Sequence, residues 1–345
     1  MGNQYRLVTQ IDTILPEQLY CPKCGTPITE DDELCPTCGY SLEEWMLEKG
    51  IVQTPHYRPT NMEMISEAIQ ALFNPRPLTT PPSSTVFLNR TQKSTTRYLI
   101  SAIILLLTGL GLSYGGAWLT YIGFTLAGYA VPVILLIYII RSDRYEREPI
   151  ALIAYCFGWG AFSGIMAGIL NAFITGPFLG VGGAGLIEEP LKIAGVYFIA
   201  KNTRLKNEFN NHLDGIIYGA AAGAGFAGLE NFWYITELVF NGSYPPLFAI
   251  FIRSFTGVMH IAWSGIAGRS LGLAKAMKGS INQSDLIPGI LVSAILHFVW
   301  NTSPTYFSLI LLFPFTLGSL RNMIKTAVQD ERNWGYPQFA PDEQD

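Results

Sequence analysis

The stretch that decides the fold is residues 177–200, PFLGVGGAGLIEEPLKIAGVYFIA. It is long and apolar enough to cross a bilayer, yet it contains Glu188, Glu189 and, one helical turn further on, Lys192. A charged side chain at the centre of a bilayer costs about 3 kcal/mol, so such residues persist where they are paired or face water. The stretch therefore predicts both a membrane-spanning helix and a functional site within it.

The composition of the whole chain also indicates a membrane protein. Of 345 residues, 49% are hydrophobic and only 14% are charged, which is too apolar and too poor in charge for an average soluble protein. The net charge is -4, and the basic residues form short scattered clusters. We expect no nucleic-acid partner, because nucleic acid requires a concentrated basic surface. The expected surroundings are the lipid bilayer.

The central part of the chain is a series of apolar runs separated by short polar loops. With about 20 residues per crossing, we predict spans at 98–114, 119–140, 150–174, 178–200, 215–240, 247–269, 286–302 and 304–320. The predicted fold class is an all-α polytopic membrane protein, a bundle of about eight transmembrane helices preceded by a small cytoplasmic zinc ribbon. The Lys and Arg clusters all fall in alternate loops, which predicts a multi-pass cell-membrane protein with both termini in the cytoplasm.

Four regions follow from this pattern. They are a ribbon at 18–42, a short helix and a Pro/Ser/Thr-rich linker at 43–96, a transmembrane domain at 97–321 and a cytoplasmic tail at 322–345. Residues 61–73 have the periodicity of an amphipathic helix, for which we expect Asn61 as the N-cap. Its apolar face would consist of Met64, Ile65, Ala68, Ile69 and Leu72.

The ribbon prediction rests on four of the five cysteines. Cys21 and Cys24 form one Cys-x-x-Cys knuckle, Cys35 and Cys38 form a second, and a glycine follows each. Four thiolates complete a closed tetrahedral Zn²⁺ shell, so this zinc would be structural and the ribbon would unfold without it. The alternative is a pair of disulfides or a redox dithiol, which the predicted cytoplasmic placement disfavours. The fifth cysteine, Cys156, is expected to be an ordinary buried apolar residue.

Further polar residues lie at membrane depth on later spans, namely Glu230, His260, His297 and Asn301. Two imidazoles and a carboxylate are a known ligand set for a catalytic metal that keeps one position open. Each residue also has a structural interpretation, as an interhelical hydrogen bond or as an ion pair such as Glu188 with Lys192. Their similar depth on separate helices favours one shared site.

Two other patterns have simpler explanations. The run Gly223 to Gly228 matches the Gly-x-Gly-x-x-Gly motif, but no strand precedes it, so a dinucleotide site is not expected. Small residues at four-residue spacing instead allow helices to approach closely in lipid. Arg253 and Glu237, near the ends of adjacent spans, are expected to form an interfacial ion pair.

The polar residues fall in a recognisable series of motifs. These are EEPLK at 188–192, DGIIYG at 214–219, FAGLEN at 226–231 and HFVWN at 297–301, together with His260. In this order they resemble the motifs of the PrsW family of intramembrane proteases, over about residues 150–320. PrsW proteins are in turn similar to the CAAX prenyl endopeptidase (Abi) superfamily. From that wider pattern this chain departs in two places, because Lys192 is one residue closer than the usual arginine and Glu230 replaces a histidine.

The resemblance implies an intramembrane endopeptidase that cuts membrane-protein substrates, for example a single-span regulatory protein such as an anti-sigma factor. In the mechanism it implies, Glu188 is the general base, Glu189 and Lys192 orient it, and Asn301 stabilises the oxyanion or positions a ligand. The expected ligands of a divalent metal, zinc in the first instance, are Glu230, His260 and His297. A variant uses the same residues without a permanent metal, with the histidines stabilising the oxyanion.

Two other classes of function remain open at this point. Buried Glu, Lys and His residues also form the proton relays of proton-coupled transporters and channels. This alternative is less favoured, because the chain lacks the internal repeat common in such transporters. A membrane-tethered interaction protein, with the ribbon as its working part, would leave the intramembrane charges unexplained.

Overall fold

The computed structural model describes residues 19–28, 35–40, 42, 59–78, 96–205 and 208–335. The chain divides into two compact units, Met1–Arg58 and Pro59–Asp345. In the first unit, strand β1 (Leu19–Tyr20) pairs antiparallel with β2 (Pro27–Ile28). Gly25 and Gly39, which follow the two cysteine knuckles, have φ angles of +72° and +66°. Only glycine adopts that backbone conformation without strain, so each knuckle can turn sharply.

The second unit is built from helices. Its longer helices, in chain order, are α1 (Asn61–Ala71), α2 (Thr96–Leu112), α3 (Ala117–Ile140), α4 (Ile150–Leu170), α5 (Gly185–Lys201), α6 (His212–Phe240), α7 (Pro246–Lys278), α8 (Ile287–Thr302) and α9 (Phe313–Asn333). Short helical pieces join some of them, at Asn171–Thr175, Gly176–Leu179, Gly180–Ala184, Thr203–Leu205, Gln283–Leu286, Thr305–Phe307 and Ser308–Leu312. The last helix, α9, extends to Asn333, well past the predicted end of the transmembrane domain at residue 321.

Five segments of the described chain are long and apolar enough to cross a membrane. They are Trp118–Ile140, Ile150–Lys201, Pro246–Lys278, Gln283–Thr302 and Thr305–Asn333, and the second of them contains both α4 and α5. The helix α2 is apolar but shorter. A mostly helical membrane protein is therefore confirmed, whereas the count of eight crossings stays a prediction.

Helices α6 and α7 form the centre of the bundle and pack through glycine. A Cβ atom built on Gly219 of α6 would lie 2.2 Å from the Ser264 carbonyl oxygen, and one on Gly215 would lie 2.2 Å from that of Gly268. No side chain fits between backbones that close. The predicted role of the small residues is confirmed, and the two helices bring their polar side chains within reach of each other.

The helix α1 packs on the rest of this unit. Arg269 of α7, which is buried, donates two hydrogen bonds to the Glu67 carboxylate, and Met64 packs beside Leu273. The predicted N-cap is wrong by one residue. Thr60 caps the helix in a reciprocal capping box with Glu63, because its hydroxyl reaches the third backbone N–H whereas Asn61 already has helical geometry.

Candidate active site

The glutamate pair lies just after a break in the helix. The stretch expected to form one span at 178–200 instead contains a short α-helical turn at Gly176–Leu179, a 3-10 turn at Gly180–Ala184 and then α5. Gly180 has a φ angle of +61°, which permits the turn. Irregular backbone at membrane depth is tolerated only where it faces protein or a wet cavity. As a result, Glu188 lies in the first turn of α5.

Glu189 is the buried centre of a hydrogen-bond network that joins three helices. Its Oε1 atom accepts from Lys192 Nζ at 2.6 Å and lies 2.8 Å from His297 Nδ1. Lys192 Nζ also lies 3.0 Å from His260 Nδ1. Because an ammonium group only donates, Nδ1 of His260 accepts here, and Nδ1–H of His297 donates to Glu189. The predicted neighbours are thus in contact, and the network fixes the orientation of both imidazole rings.

Glu230 holds the other side of His260. Its Oε2 atom lies 2.8 Å from His260 Nε2 and accepts from Arg253 Nη2 at 2.6 Å. Arg253 also donates to the side chain of Asn231. The expected pair between Arg253 and Glu237 is therefore wrong, because the guanidinium points along α6 toward Glu230 and Asn231. This arginine is the cation that compensates the Glu230 charge.

Glu188 is held by a residue that the sequence analysis missed. Asn171 donates from Nδ2 to Glu188 Oε1 at 2.9 Å, and its own Oδ1 accepts from the Thr175 hydroxyl at 2.7 Å. Both residues lie in a π-helical turn that follows α4. Such turns are rare and are frequent at functional sites. The sequence feature that could have identified Asn171 is a single polar residue within a predicted apolar span.

The second oxygen of Glu188 faces the histidines. Its Oε2 atom is buried without a hydrogen-bond partner and lies 3.9 Å from Nε2 of His297. One ligand atom each from Glu188, His260 and His297 lie within 4.8 Å of one another. This set differs from the expected one, because Glu188 takes the place of Glu230. One carboxylate and two imidazoles fit a divalent ion such as Zn²⁺ with one open position.

Two neighbours support these groups. The indole of Trp263 stacks on the His297 ring, with centroids 4.3 Å apart and planes 18° from parallel, so it fixes the ring plane. Asn301, one turn after His297 on α8, donates from Nδ2 to the Val181 carbonyl at 2.9 Å. In this structure Asn301 therefore fastens the turn before α5, and its predicted oxyanion role stays a prediction.

The site opens into a cavity of about 300 Å³. Its lining includes all the predicted residues of the membrane site except Glu189 and Lys192. Those two side chains are buried in the hydrogen-bond network next to the cavity. Polar side chains from α5, α6, α7 and α8 thus converge on one space at membrane depth. The cavity can hold water next to Glu188, which hydrolysis requires and simple packing does not.

A second candidate metal site lies in the ribbon. The Sγ atoms of Cys21, Cys24, Cys35 and Cys38 all lie within 4.8 Å of one another, with 3.4 Å between Cys24 and Cys35. All four are free thiols, which disagrees with the disulfide alternative. A hydrogen bond with Thr26 lowers the pKa of the Cys24 thiol to about 6, so a metal-binding thiolate forms readily. The four-thiolate arrangement expected for structural zinc is present.

Comparison with known proteins places the chain in a family. Residues 148–324 match the model of the PrsW family intramembrane metalloproteases. The chain belongs to the PrsW family. Residues 17–42 match a zinc-ribbon domain, so this family member carries an N-terminal ribbon as the cysteine spacing predicts. Since the family consists of peptidases, membership favours the predicted endopeptidase over the proton-coupled transporter.

Three relatives are each named Protease PrsW. The protein of Geobacillus kaustophilus is 34% identical over 124 residues, that of Oceanobacillus iheyensis is 31% identical over 183, and that of Bacillus subtilis is 29% identical over 180. These matches cover 32%, 51% and 50% of this chain, and 50%, 80% and 78% of the relatives. The chain thus spans only half the length of the Geobacillus relative. No solved structure matches this PrsW family member.

Proposed function

We propose that the chain is an endopeptidase that hydrolyses peptide bonds of membrane-protein substrates at the Glu188 site. The observation that carries this proposal is the unpartnered Oε2 atom of Glu188, buried at membrane depth and 3.9 Å from His297 Nε2. A gap of that length between two polar atoms fits a bridging water. Burying a carboxylate oxygen without a partner is costly, so a functional role is the simplest explanation for it.

In the proposed mechanism, Glu188 accepts a proton from a water molecule in this gap, and the water oxygen attacks the substrate carbonyl carbon. Collapse of the tetrahedral intermediate breaks the C–N bond, and Glu188 returns the proton to the leaving nitrogen. Asn171 holds the other Glu188 oxygen and so directs Oε2 toward the cavity. Glu189 fixes the ring of His297, whose Nε2 faces the reacting water, and Lys192 donates to both Glu189 and His260. His260 and His297 border the space where the oxyanion develops, and the Nε2 lone pair of His297 can accept a hydrogen bond from the attacking water.

A divalent metal fits the same residues. Glu188, His260 and His297 would hold it in an alternative to the metal-free mechanism, because Oε2 of Glu188 cannot both bind an ion and take the proton of the water. Zn²⁺ is the ion that such a donor set favours. When bound, the ion would supply Lewis-acid polarisation of the water and of the substrate carbonyl. Because His260 already has partners on both ring nitrogens, its ligation would displace one of them. In this scheme Glu230 positions His260, rather than binding the ion as the sequence suggested.

The proposed topology follows the helices of the structure. Each of the helices α2 to α9 overlaps one of the eight predicted spans, although α9 overlaps the last of them only over residues 313–320. If all eight cross the bilayer, both termini lie on the cytoplasmic side, where the basic loops are also placed. The substrate is then a protein of the same membrane, and a single-span regulator such as an anti-sigma factor remains the specific hypothesis.

The proposal is tested by proteolysis in lipid vesicles. We expect cleavage of a co-reconstituted single-span protein by wild type, and a loss of at least about 100-fold in rate for Glu188→Gln and His297→Ala, since a positioned acid or base contributes 10²- to 10⁴-fold. Gly158→Ala is the matched control, because that glycine faces open space on α4. Full cleavage by both site variants would contradict the proposal, and proton flux lost in the same variants would favour a transporter.

A further inference from the structure

An apolar groove on the side of the bundle leads to the site. It has a volume of about 620 Å³ and lies between α4 with its π-helical turn and α6. Glu188, Glu230, Asn171 and Tyr234 line both this groove and the polar cavity described above. The two spaces therefore meet at Glu188, the polar one suited to water and the apolar one suited to a lipid-soluble group.

The α6 wall of the groove is one helical stripe. Glu230, Trp233, Tyr234 and Glu237 are spaced at i, i+3, i+4 and i+7, which places them on one face. The stripe is aromatic in the middle and acidic at both ends. Glu230 is the acid at the catalytic end, and Glu237 lies two turns further along, about 10 Å away.

The α4 side of the groove is apolar and is lined partly by glycine. Its glycines, Gly164 and Gly168, leave room between larger side chains such as Ile165 and Ile169, which are more than half exposed. A Cβ atom built on Gly168 would meet no other atom within 4 Å, so that position faces open space. Exposed apolar side chains on both walls mean that the groove opens toward lipid when the bundle is in a membrane.

The size of the groove limits what can occupy it. One turn of α-helix, about 10–12 Å wide and 5.4 Å tall, occupies roughly 400–600 Å³. The groove therefore holds about one turn of a peptide, or a few unwound residues. A peptide bond in a regular helix is shielded by its own hydrogen bonds, so local unwinding at Glu188 would be needed for attack.

The end of the groove farthest from Glu188 carries the negative charge of Glu237. The Arg253 guanidinium on α7 is bound to Glu230 and Asn231 and covers the ring of Tyr234, so it does not pair with Glu237. Among the ion pairs of the described residues, none involves Glu237. An acidic side chain at the end of an apolar groove attracts a basic side chain of a segment bound in that groove.

We infer that a membrane-spanning substrate segment enters sideways between α4 and α6, and that Glu237 selects segments with a basic residue about 10 Å from the bond that is cut. This inference rests on the proposed function for its cleavage step. The occupant is one apolar helix of another protein, with Lys or Arg near its end. The groove thereby gives the site both its route of entry and its charge preference.

The route is tested by filling the groove. The probe is a synthetic single-span Leu/Ala peptide with a central Gly-Gly pair, a photoreactive leucine analogue beside it and a Lys two helical turns away. In phosphatidylcholine vesicles we expect it to cross-link to α4 or α6 of full-length Glu188→Gln protein. Adding Gly168→Trp should lower the yield at least about fivefold, while adding Gly158→Trp, on the same helix and equally open, should leave it unchanged. Equal yields for all three proteins would overturn the route.

The charge preference is tested by reversing the charge on the probe and the charge at residue 237. We expect the Lys probe to cross-link about two- to fivefold better than a Glu probe, the range of an exposed ion pair. Glu237→Gln should remove this preference and Glu237→Lys should reverse it. An unchanged preference in Glu237→Lys would overturn the role of Glu237. Cross-linking reads binding without cleavage, so a probe that binds as expected but is never cut by wild type would refute the proposed function alone.

Discussion

At the scale of single residues, the site is a set of buried charges that compensate one another. Glu189 and Lys192 are both essentially inaccessible and form an ion pair at 2.6 Å. Glu230 forms a less buried ion pair with Arg253, also at 2.6 Å. Removing one member of a buried pair leaves an uncompensated charge, which typically costs 3–5 kcal/mol. The geometry of the proposed site is therefore coupled to the stability of the bundle.

This coupling predicts the effect of Lys192→Met. The Glu189 carboxylate would remain buried without its cation, so we expect the free energy of unfolding to fall by about 3–5 kcal/mol. The double variant Glu189→Gln, Lys192→Met removes both charges and should recover most of that loss, while staying inactive because His260 loses the Lys192 ammonium that donates to its Nδ1 atom. Denaturation of the purified protein in detergent measures both effects.

The control for this prediction is on the same helix. Lys201 is exposed at the end of α5, and Lys201→Met should change the stability by less than about 1 kcal/mol. If Lys192→Met were as stable as Lys201→Met, Glu189 would not depend on the ammonium group. The network would then have to be neutral.

At the scale of helices, glycine decides how closely α6 and α7 approach. We expect Gly219→Ala to lower the free energy of unfolding by about 1–3 kcal/mol, because its methyl group would meet the Ser264 carbonyl oxygen. Gly158→Ala, with open space around it, should be neutral or slightly stabilising, since Ala favours helices. Thermal unfolding of the two variants compares them directly. Equal midpoints would mean that α6 and α7 do not touch at Gly219.

The two candidate metal sites belong to separate units and should lose metal independently. We expect Cys21→Ser to remove the ribbon zinc and to make residues 21–40 sensitive to protease, because a four-cysteine ribbon folds around its ion. His297→Ala should leave that zinc in place and remove an ion bound at the membrane site. Elemental analysis of full-length variants gives both stoichiometries. A His297→Ala protein with the same total metal as wild type would exclude a tightly bound catalytic ion.

At the scale of the whole molecule, a cluster of buried acidic side chains connects the α3–α4 loop, the start of α6 and the end of α9. Glu146, in the loop between α3 and α4, accepts from Asn210 before α6, and Glu331 of α9 accepts from Asn211. Burial, followed by the negative charge of Asp214, raises the pKa of Glu146 to about 9. Burial likewise raises the pKa of Asp143 well above its usual value. These carboxyls therefore hold protons in the folded protein at neutral pH.

The cluster predicts a pH dependence of stability. A carboxyl with a higher pKa when folded contributes stability that is fully present below about pH 4.5 and is lost as the pH rises through about 9. Between those values we expect the unfolding midpoint of wild type to fall relative to that of Glu146→Gln, which has no proton to lose there. Parallel midpoint curves for the two proteins would contradict the raised pKa.

Several properties of this protein follow from the local sequence alone. Apolar run length predicted the membrane class, the knuckle spacing predicted the ribbon, and the depth of Glu188, Glu230, His260 and His297 predicted one shared site. These properties depend on composition and on spacing along one helix, which the chain itself fixes. The contacts between helices do not follow from such spacing, because they depend on the rotation and separation of each helix.

Tertiary structure decided the remaining features. It paired Arg253 with Glu230 instead of Glu237, brought Glu188 rather than Glu230 into the candidate metal-binding group, and placed Asn171 on the Glu188 carboxylate. The physical reason is close packing: glycine contacts set how near α6 lies to α4 and α7, and the helix breaks around Glu188 set where its side chain points. Small changes in either would leave the sequence motifs intact and separate the groups that they bring together.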